Sequence, residues 1–409
     1  MSNKIPLKDL CVDGNWGKYG IPASAEEYDP SKTRYLRITD ISDYGELLDS
    51  DKKSVTAEDI DKYILQEGDI VFARTGASTG RTYFHENKNG KLAFAGFLIK
   101  YALDKKKINP KYVKFYTLSK EYKSWVNNLS VGSTRGNINA QTFADCPITV
   151  PDRKQQDLLV NILSLLTDKI ELNARINAEL EQVAKTLYDY WFVQFAPHKS
   201  AGGKMVWNEE LKREIPLGWE VKNLEDIENN IITGKTPSTS NPEYYDGDIP
   251  FITIGDIRGN MHVVDTQIKL SKAGAEIQKN KFIPKGSLCV TCIASPGLIG
   301  FATKDSQTNQ QINSIVIQNE ENRTYLYFAL NDYFKFAKGA KTGNTFANMN
   351  KGDFSSIKLV HPDKSHLLNF EKIVNPMVEE ILIRQLESQT LTELRDWLLP
   401  MLMNGQVKV

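Results

Sequence analysis

The sequence predicts an α+β chain: two strand-rich domains, related by an approximate two-fold axis and separated by two long antiparallel, coiled-coil-like helices. The first observation behind this is an internal duplication. Residues 115–152, laid without a gap over 326–363, match at Tyr116/Tyr327, Tyr122/Tyr333, Gly132/Gly343, Thr134/Thr345, Asn137/Asn348, Asn139/Asn350, Phe143/Phe354, Pro151/Pro362 and Asp152/Asp363, several times the chance level. The second is that each copy runs through Pro-Asp into a stretch with apolar residues at three- and four-residue steps, the mark of one long striped helix. The third is size: 409 residues exceed what one core usually supports, so two domains of roughly 150 residues are expected. The repeat is too long for a solenoid, whose period is about 20–50 residues.

Taken in order, residues 1–150 form the first domain. Short β-branched and aromatic runs at 35–41, 69–73, 92–101 and 147–150 alternate with Gly, Asn and Lys clusters, which reads as strands joined by long loops. One helix is predicted over 110–129 from Tyr112, Phe115, Tyr116, Tyr122 and Trp125. Residues 151–193 are the first long helix, striped by Leu159, Ile162, Leu166, Ile170, Ile176, Leu180, Val183, Leu187 and Tyr190, with no Gly or Pro between 153 and 192. About 36 helical residues span ~54 Å. Residues 194–214, with Pro197, Gly202 and Gly203, read as a linker.

Residues 215–362 repeat the strand-rich pattern: 251–257 resembles 35–41, 282–289 resembles 64–71, and Ile215-Pro216-Leu217 corresponds to Ile5-Pro6-Leu7. Residues 363–409 are the second long helix, through Phe370, Ile373, Met377, Ile381, Leu391, Leu394, Leu398 and Met401; Pro376 is expected to kink or shorten it. Two such stripes in one chain most simply bury against each other, antiparallel if the halves are two-fold related.

Bulk composition bounds the function. The 51 basic and 51 acidic residues cancel, which argues against strong nucleic-acid binding by the chain alone but not within a complex. Four cysteines make no disulfide framework. No run of about 18 apolar residues exists and the N-terminus lacks a secretion signal, so the expected location is the cytoplasm, with no membrane partner.

Two loops carry candidate binding chemistry. The segment Arg74-Thr75-Gly76-Ala77-Ser78-Thr79-Gly80-Arg81 follows a strand and offers Arg74, Thr75, Ser78, Thr79 and Arg81. Hydroxyls and amides there could hold phosphate and arginine could take guanine, or the loop is a solvated hairpin turn. Its counterpart around Ile293-Ala294-Ser295-Pro296-Gly297 lacks both arginines, so if these loops touch DNA the two halves read different sequences. The repeated motif supplies Ser133, Thr134, Arg135 and Asn137 in one copy and Lys341, Asn344, Thr345 and Asn348 in the other. Asn reads adenine and Ser/Thr bond phosphate, yet Gly, Asn and Thr are also plain turn chemistry; a mixed role is expected.

Catalytic and metal signatures are absent. Cys289-Val290-Thr291-Cys292 has metal-pair spacing, but it lies in an apparent strand and no second pair follows, so buried structural cysteines are expected. The five histidines form no metal pattern, and no nucleotide-binding, zinc-protease or nucleophile-elbow motif is found. Asn375-Pro376-Met377 lacks the rest of a methyltransferase box, and Glu210-Leu211-Lys212 is at most half a nuclease motif.

Over essentially its full length the chain resembles the specificity subunit of type I restriction–modification systems. The residues that carry the resemblance, beside the duplication, are Ile215-Pro216-Leu217-Gly218-Trp219; Gly68-Asp69-Ile70-Val71 with Thr75-Gly76-Ala77-Ser78-Thr79-Gly80; Gly132-Ser133-Thr134; Thr186-Leu187-Tyr188-Asp189-Tyr190-Trp191-Phe192; and Leu398-Leu399-Pro400-Met401-Leu402-Met403-Asn404-Gly405. The resemblance implies a non-catalytic subunit whose two target-recognition domains each read half of a bipartite DNA site, with helical spacers setting the gap. It implies that the stripe residues Leu159, Ile162, Leu166, Ile176, Leu180, Leu187, Ile373, Ile381, Leu391, Leu394 and Leu398 pair the helices and dock two modification subunits. Cofactors then lie elsewhere: S-adenosylmethionine in the modification subunits, ATP and magnesium in restriction subunits. The alternatives from other classes are a fused methyltransferase or nuclease and a helical scaffold that reads no DNA.

Overall fold

A computed structural model of the chain describes residues 3–49, 51–130, 137–339 and 348–403. It comprises two compact units, Met1–Asp168 with Leu391–Val409 and Lys169–Thr390, so each long helix contributes a segment to both.

In the first unit, strand Asn3–Pro6 pairs antiparallel with Pro147–Val150 and closes the domain on itself. A four-stranded antiparallel sheet runs in the order Cys11–Tyr19, Leu98–Leu103, Asp69–Ala73, Thr82–Phe84. Its two central strands are buried at every position, which is why they read as continuous apolar runs rather than alternating ones. A second sheet is ordered Glu26–Glu27, Lys53–Val55, Thr33–Leu36, Leu92–Phe94, the last two strands being parallel. Phe72 packs between Tyr101 and Phe143, ring centroids 5.2 and 5.0 Å away. The buried tyrosines keep their hydroxyls paired: Tyr112 donates to the Thr149 carbonyl at 2.7 Å, Tyr116 to Pro147 at 2.8 Å and Tyr122 to Gly80 at 2.9 Å, as burial of a phenol requires.

The second unit repeats the core of this topology, with one edge strand more in the larger sheet and, among the described residues, one fewer in the smaller. Glu220–Asn223 pairs with Lys358–His361; the larger sheet runs Ile231–Thr233, Ile312–Ile315, Leu288–Thr291, Ile299–Ala302, with His262–Val263 added at its edge. The smaller sheet again contains one antiparallel pair, Tyr245–Ile252 with Ile268–Leu270, and one parallel pair, Tyr245–Ile252 with Gln307–Thr308. Asp40 and Asp256 are also equivalent: each accepts a backbone N–H three residues back, from Arg37 and Thr253, at 2.8 Å.

One sequence correspondence is corrected. Ile215-Pro216 does not play the part of Ile5-Pro6; it lies in a hairpin, Met205–Asn208 with Arg213–Pro216, that precedes the repeat. The true counterpart of Leu7–Leu10 is Leu224–Ile227, since the Leu7 amide donates to Cys146 at 2.9 Å and the Leu224 amide donates to Ile357 at 2.8 Å. Residues 194–214, read as a linker, thus hold a short helix, Ala196–Ser200, and most of that hairpin; the Pro and Gly that signal a break here mark turns between packed pieces.

The repeated Pro-Asp opens each long helix because the Asp caps it. Asp152 accepts the Gln155 amide at 2.9 Å, and Asp363 accepts those of Ser365 and His366 at 3.0 and 3.1 Å. The first helix is Arg153–Tyr188, running into a π-helical turn, Asp189–Val193. That turn swings Phe192 into a cluster of the second unit where it meets Phe370 at 4.8 Å and Tyr325 at 5.1 Å. The second helix, Lys364–Met403, is unbroken across Pro376, so of the expected kink or shortening the shortening does not occur. Pro376 and Lys372, whose carbonyl loses its partner, both face solvent, while Val374 and Val378 are fully buried and hold the helix on either side.

Within the second unit the two helices run antiparallel through polar contacts. Asn173 is fully buried, donates to Glu387 at 2.7 Å and accepts from Arg384 at 3.3 Å, while Asn177 lies against the Ile381 carbonyl. In the first unit Leu159, Val160 and Leu163 share a cluster with Leu399 and Leu402. Of the predicted stripe, Leu159 and Ile381 are buried and Ile162, Leu166, Ile176, Leu180, Leu187, Leu391 and Leu398 are half-buried. Ile373 and Leu394 are instead 45% and 40% exposed; their neighbours Val374 and Arg395 take the inner face, because three-and-four spacing leaves the phase of a helix uncertain by a residue.

Two outcomes follow from this packing. Phe370→Ala should cost about 3–5 kcal/mol and Leu394→Ala only about 0.5 kcal/mol, measured as urea-unfolding midpoints of the full chain. His262 is buried and joined to the Val378 carbonyl at 3.0 Å, and burial holds its pKa down at about 4. A lowered folded pKa means stability present above pH ~6.5 and lost as pH falls toward 4, on the order of 3 kcal/mol. Unfolding measured from pH 7 to 4 should show this loss, and His262→Gln should reduce it, leaving the share of His361, whose pKa burial also holds down at about 4.

Candidate nucleic-acid interface

The glycine-rich loop leaves strand Asp69–Ala73 and returns as Thr82–Phe84. Gly80 has φ 86°, and a Cβ there would stand 2.5 Å from Val126; Gly297 in the second unit has φ 85° and would meet Phe334 at 2.5 Å. Both glycines therefore serve a close loop–helix approach that no other residue fits.

The repeated Asn-[Ile/Met]-Asn motif is bolted to this loop. Thr75 bridges Asn137 and Ile293 bridges Asn348; the Ile138 amide donates to Arg74 at 2.9 Å and the Met349 amide to Cys292 at 3.0 Å. Ile138 and Met349 are buried, Phe143 and Phe354 fully so. Asn139 and Asn350 cap short helices by accepting from Thr142 and Asp353. Most repeated letters are thus framework; Asn139 and Asn350 are exposed but engaged as caps, which leaves Asn137 and Asn348 as the exposed positions that cap no helix. Ser133, Thr134, Arg135, Lys341, Asn344 and Thr345 lie outside the described residues.

The two loop arginines differ. The Arg81 guanidinium pairs with Asp43 at 2.6 Å and also reaches the Ile41 carbonyl and Ser78 hydroxyl. Arg74 donates to Asn137 Oδ1 at 3.2–3.3 Å and lies 5.0 Å from the Tyr19 ring centre. Among the described arginines of the first unit, Arg34, Arg37, Arg81, Arg153 and Arg395 each have a carboxylate partner and Arg74 has none. It is a charge braced by an aromatic face and an amide, with donors left for a ligand. Ser78 is buried, Thr75 is half-buried, and Thr79 donates to the Gly76 carbonyl at 2.7 Å. A cleft of about 290 Å³ beside the loop is lined by Thr79, Arg81, Tyr122, Lys123 and Asn127 among others.

The second unit regains an arginine from elsewhere. Arg258 is exposed and its Nη2 reaches Ser295 Oγ at 3.5 Å. Arg81 ties its loop to the residues after Ile41; Arg258, just after the equivalent Ile257, ties back to the equivalent loop. The tether persists with donor and acceptor sides exchanged. Carrying the alignment of 35–41 with 251–257 one residue further would have found it.

The cysteines are buried; burial pushes Cys289 up to about 12 and Cys292 to about 11.

The family model of the type I restriction modification DNA specificity domain matches residues 2–182 and again 216–373. The chain belongs to this family. Among similar proteins, the type I restriction enzyme HindI specificity subunit of Haemophilus influenzae is 31% identical, over 85% of this chain and 88% of the relative. The type I restriction enzyme MjaIX specificity subunit of Methanocaldococcus jannaschii is 24% identical over 73% and 69%. The crystal structure of a type I restriction–modification S subunit from M. genitalium shares the fold at TM-score 0.57 and 17% identity, covering 98% of this chain and 95% of that one. This specificity subunit is a DNA-recognition component, not an enzyme. Its two family matches coincide with the two copies of one topology.

Arg74→Ala should relax preference at one base pair by about 1–3 kcal/mol, whereas Arg81→Ala, which frees Asp43, should lower the melting temperature instead. Methylated-site sequencing and thermal unfolding of both variants separate these outcomes.

Proposed function

We propose that each strand-rich domain of this subunit reads one half of an asymmetric, bipartite double-stranded DNA site, and that the two long helices set the gap and dock two methyltransferase subunits. The carrying observation is a shared backbone framework with different tips: the bonds Ile138-to-Arg74 and Met349-to-Cys292 are equivalent, while the residues around them diverge. A protein that reads two different half-sites needs that combination. Docking is supported by large apolar side chains left exposed on the helices: Ile383 and Leu386 in the second unit, Leu165 and Trp397 in the first. On this reading the chain holds no cofactor. S-adenosylmethionine belongs to the modification subunits, ATP and magnesium belong to any restriction subunits, and the complex works in the cytoplasm; no helix among the described residues is long and apolar enough to cross a membrane.

The 36-residue first helix is ~54 Å long, more than the ~34–36 Å between major-groove sites one turn apart. Half-sites of a few base pairs separated by roughly 5–8 unread pairs are therefore expected. Mapping methylated adenines in host DNA with and without this chain tests the reading. Inserting four residues at Glu179, with a matching insertion after Glu380 to keep the helices in register, lengthens the spacer by ~6 Å and should lengthen the gap by one or two pairs. Methylation that does not depend on the chain, or an unchanged gap with methylation retained, would overturn it.

A further inference from the structure

The turn at residues 95–97 joins Leu92–Phe94 to Leu98–Leu103 and breaks the run 92–101 that reads as one strand in the sequence. Its backbone is fixed on both sides: the Gly96 amide donates to Ile21 at 2.9 Å, Leu98 to Ala95 at 2.8 Å and Gly20 to Leu98 at 3.1 Å. A Cβ on Gly20 would stand 2.2 Å from the Ala95 carbonyl, so the two segments are in direct contact. At the tip of this fixed turn Phe97 is 59% exposed.

A single exposed phenylalanine is ordinary; its register is not. Ala73 with Leu98 is the last pair of the ladder, and one step past it the Arg74 amide donates to the Phe97 carbonyl at 3.0 Å, which sets the two residues opposite each other as the ladder would. Directly opposed residues project on the same face of a sheet. Phe97 is therefore set beside the one described arginine of its unit that lacks a carboxylate, with the half-exposed Tyr19 ring on that arginine's other contact. In the second unit Thr291 pairs with Ile312, and the Cys292 amide donates to the Gln311 carbonyl at 2.8 Å. Gln311 thus occupies the position of Phe97. One backbone bond is kept and the side chain changes from apolar to hydrogen-bonding, as expected of a position that sets which base is read.

We propose that Phe97 is a specificity-determining residue of the first half-site, contacting the 5-methyl group of a thymine next to the base pair engaged by Arg74. An apolar ring recognises that methyl in the major groove, where no other base carries one. The proposal rests on the two-half-site reading above.

The test uses the full chain assembled with its methyltransferase subunits. Methylated sites are sequenced for the parent and for Phe97→Ala, and binding is then measured on duplexes carrying the parent site with each thymine of the half-site replaced by deoxyuridine. For the parent, one uracil should weaken binding about fourfold, the value of one buried methyl group. For Phe97→Ala that penalty should vanish, and its methylated sites should be relaxed at one position of one half-site, with the other half-site and the gap unchanged. A uracil penalty that persists in Phe97→Ala, or an unaltered motif with methylation retained, overturns the proposal. So does complete loss of methylation at an unchanged melting temperature, because only one contact is removed. If Phe97→Ala melts early, Phe97→Gln is read by the same criteria. A parent chain that confers no sequence-specific methylation would instead sink the two-half-site reading itself.

Discussion

The hydrogen bond from the Ile138 amide to the Arg74 carbonyl, repeated from Met349 to Cys292, is the constraint on which both candidate binding faces depend. Each joins the end of a fully buried strand to a segment more than fifty residues further along the chain. Ile138 and Met349 are buried beside it, and a capping Asn starts a short helix straight after. Three local devices, a bridge, an apolar plug and a helix cap, thereby fix the motif without using the exposed side chains at positions 137 and 348. Those side chains can change while the backbone stays put. That is what a family needs whose members recognise different DNA with one fold.

The duplication was legible because framework residues are the ones that repeat. Asp152 and Asp363 cap helices, Asn139 and Asn350 cap shorter ones, and Phe143 and Phe354 fill cores; each has a local physical reason to be kept. The candidate site was legible only in part. Arg74 and Arg81 look alike in sequence, and only Asp43, nearly forty residues upstream, separates a paired arginine from an available one. Arg258 and Phe97 were missed for the same reason: the register that brings them to the loops is set by long-range pairing. The false Ile-Pro-Leu match and the misplaced Ile373 and Leu394 show the converse, in which a short motif or a helical period matches while its phase in space does not.

The helix pair shows why an apolar stripe is an incomplete guide. In the second unit the pairing passes through Asn173, Arg384 and Glu387. Each such group must find a partner when desolvated, so a slipped register would leave the buried Asn173 amide and its ionic neighbours unmatched at a cost of a few kcal/mol. An all-leucine seam would tolerate a slip far better. If the gap between half-sites is set by these helices, a polar pairing that admits one register is the better ruler, even where it adds little stability.

The zero net charge is reconciled with DNA recognition by where the cations sit. In the first unit Arg34, Arg37, Arg81, Arg153 and Arg395 are spent on carboxylates, which shapes loops, while lysines such as Lys123 in the cleft beside the glycine-rich loop remain available to phosphates. Phosphate neutralisation supplies most non-specific affinity and its salt dependence. On the two-half-site reading the work divides within the chain: mobile, unpaired lysines suit phosphates of any sequence, whereas a braced arginine, such as Arg74 held by Asn137 and Tyr19, suits discrimination between bases.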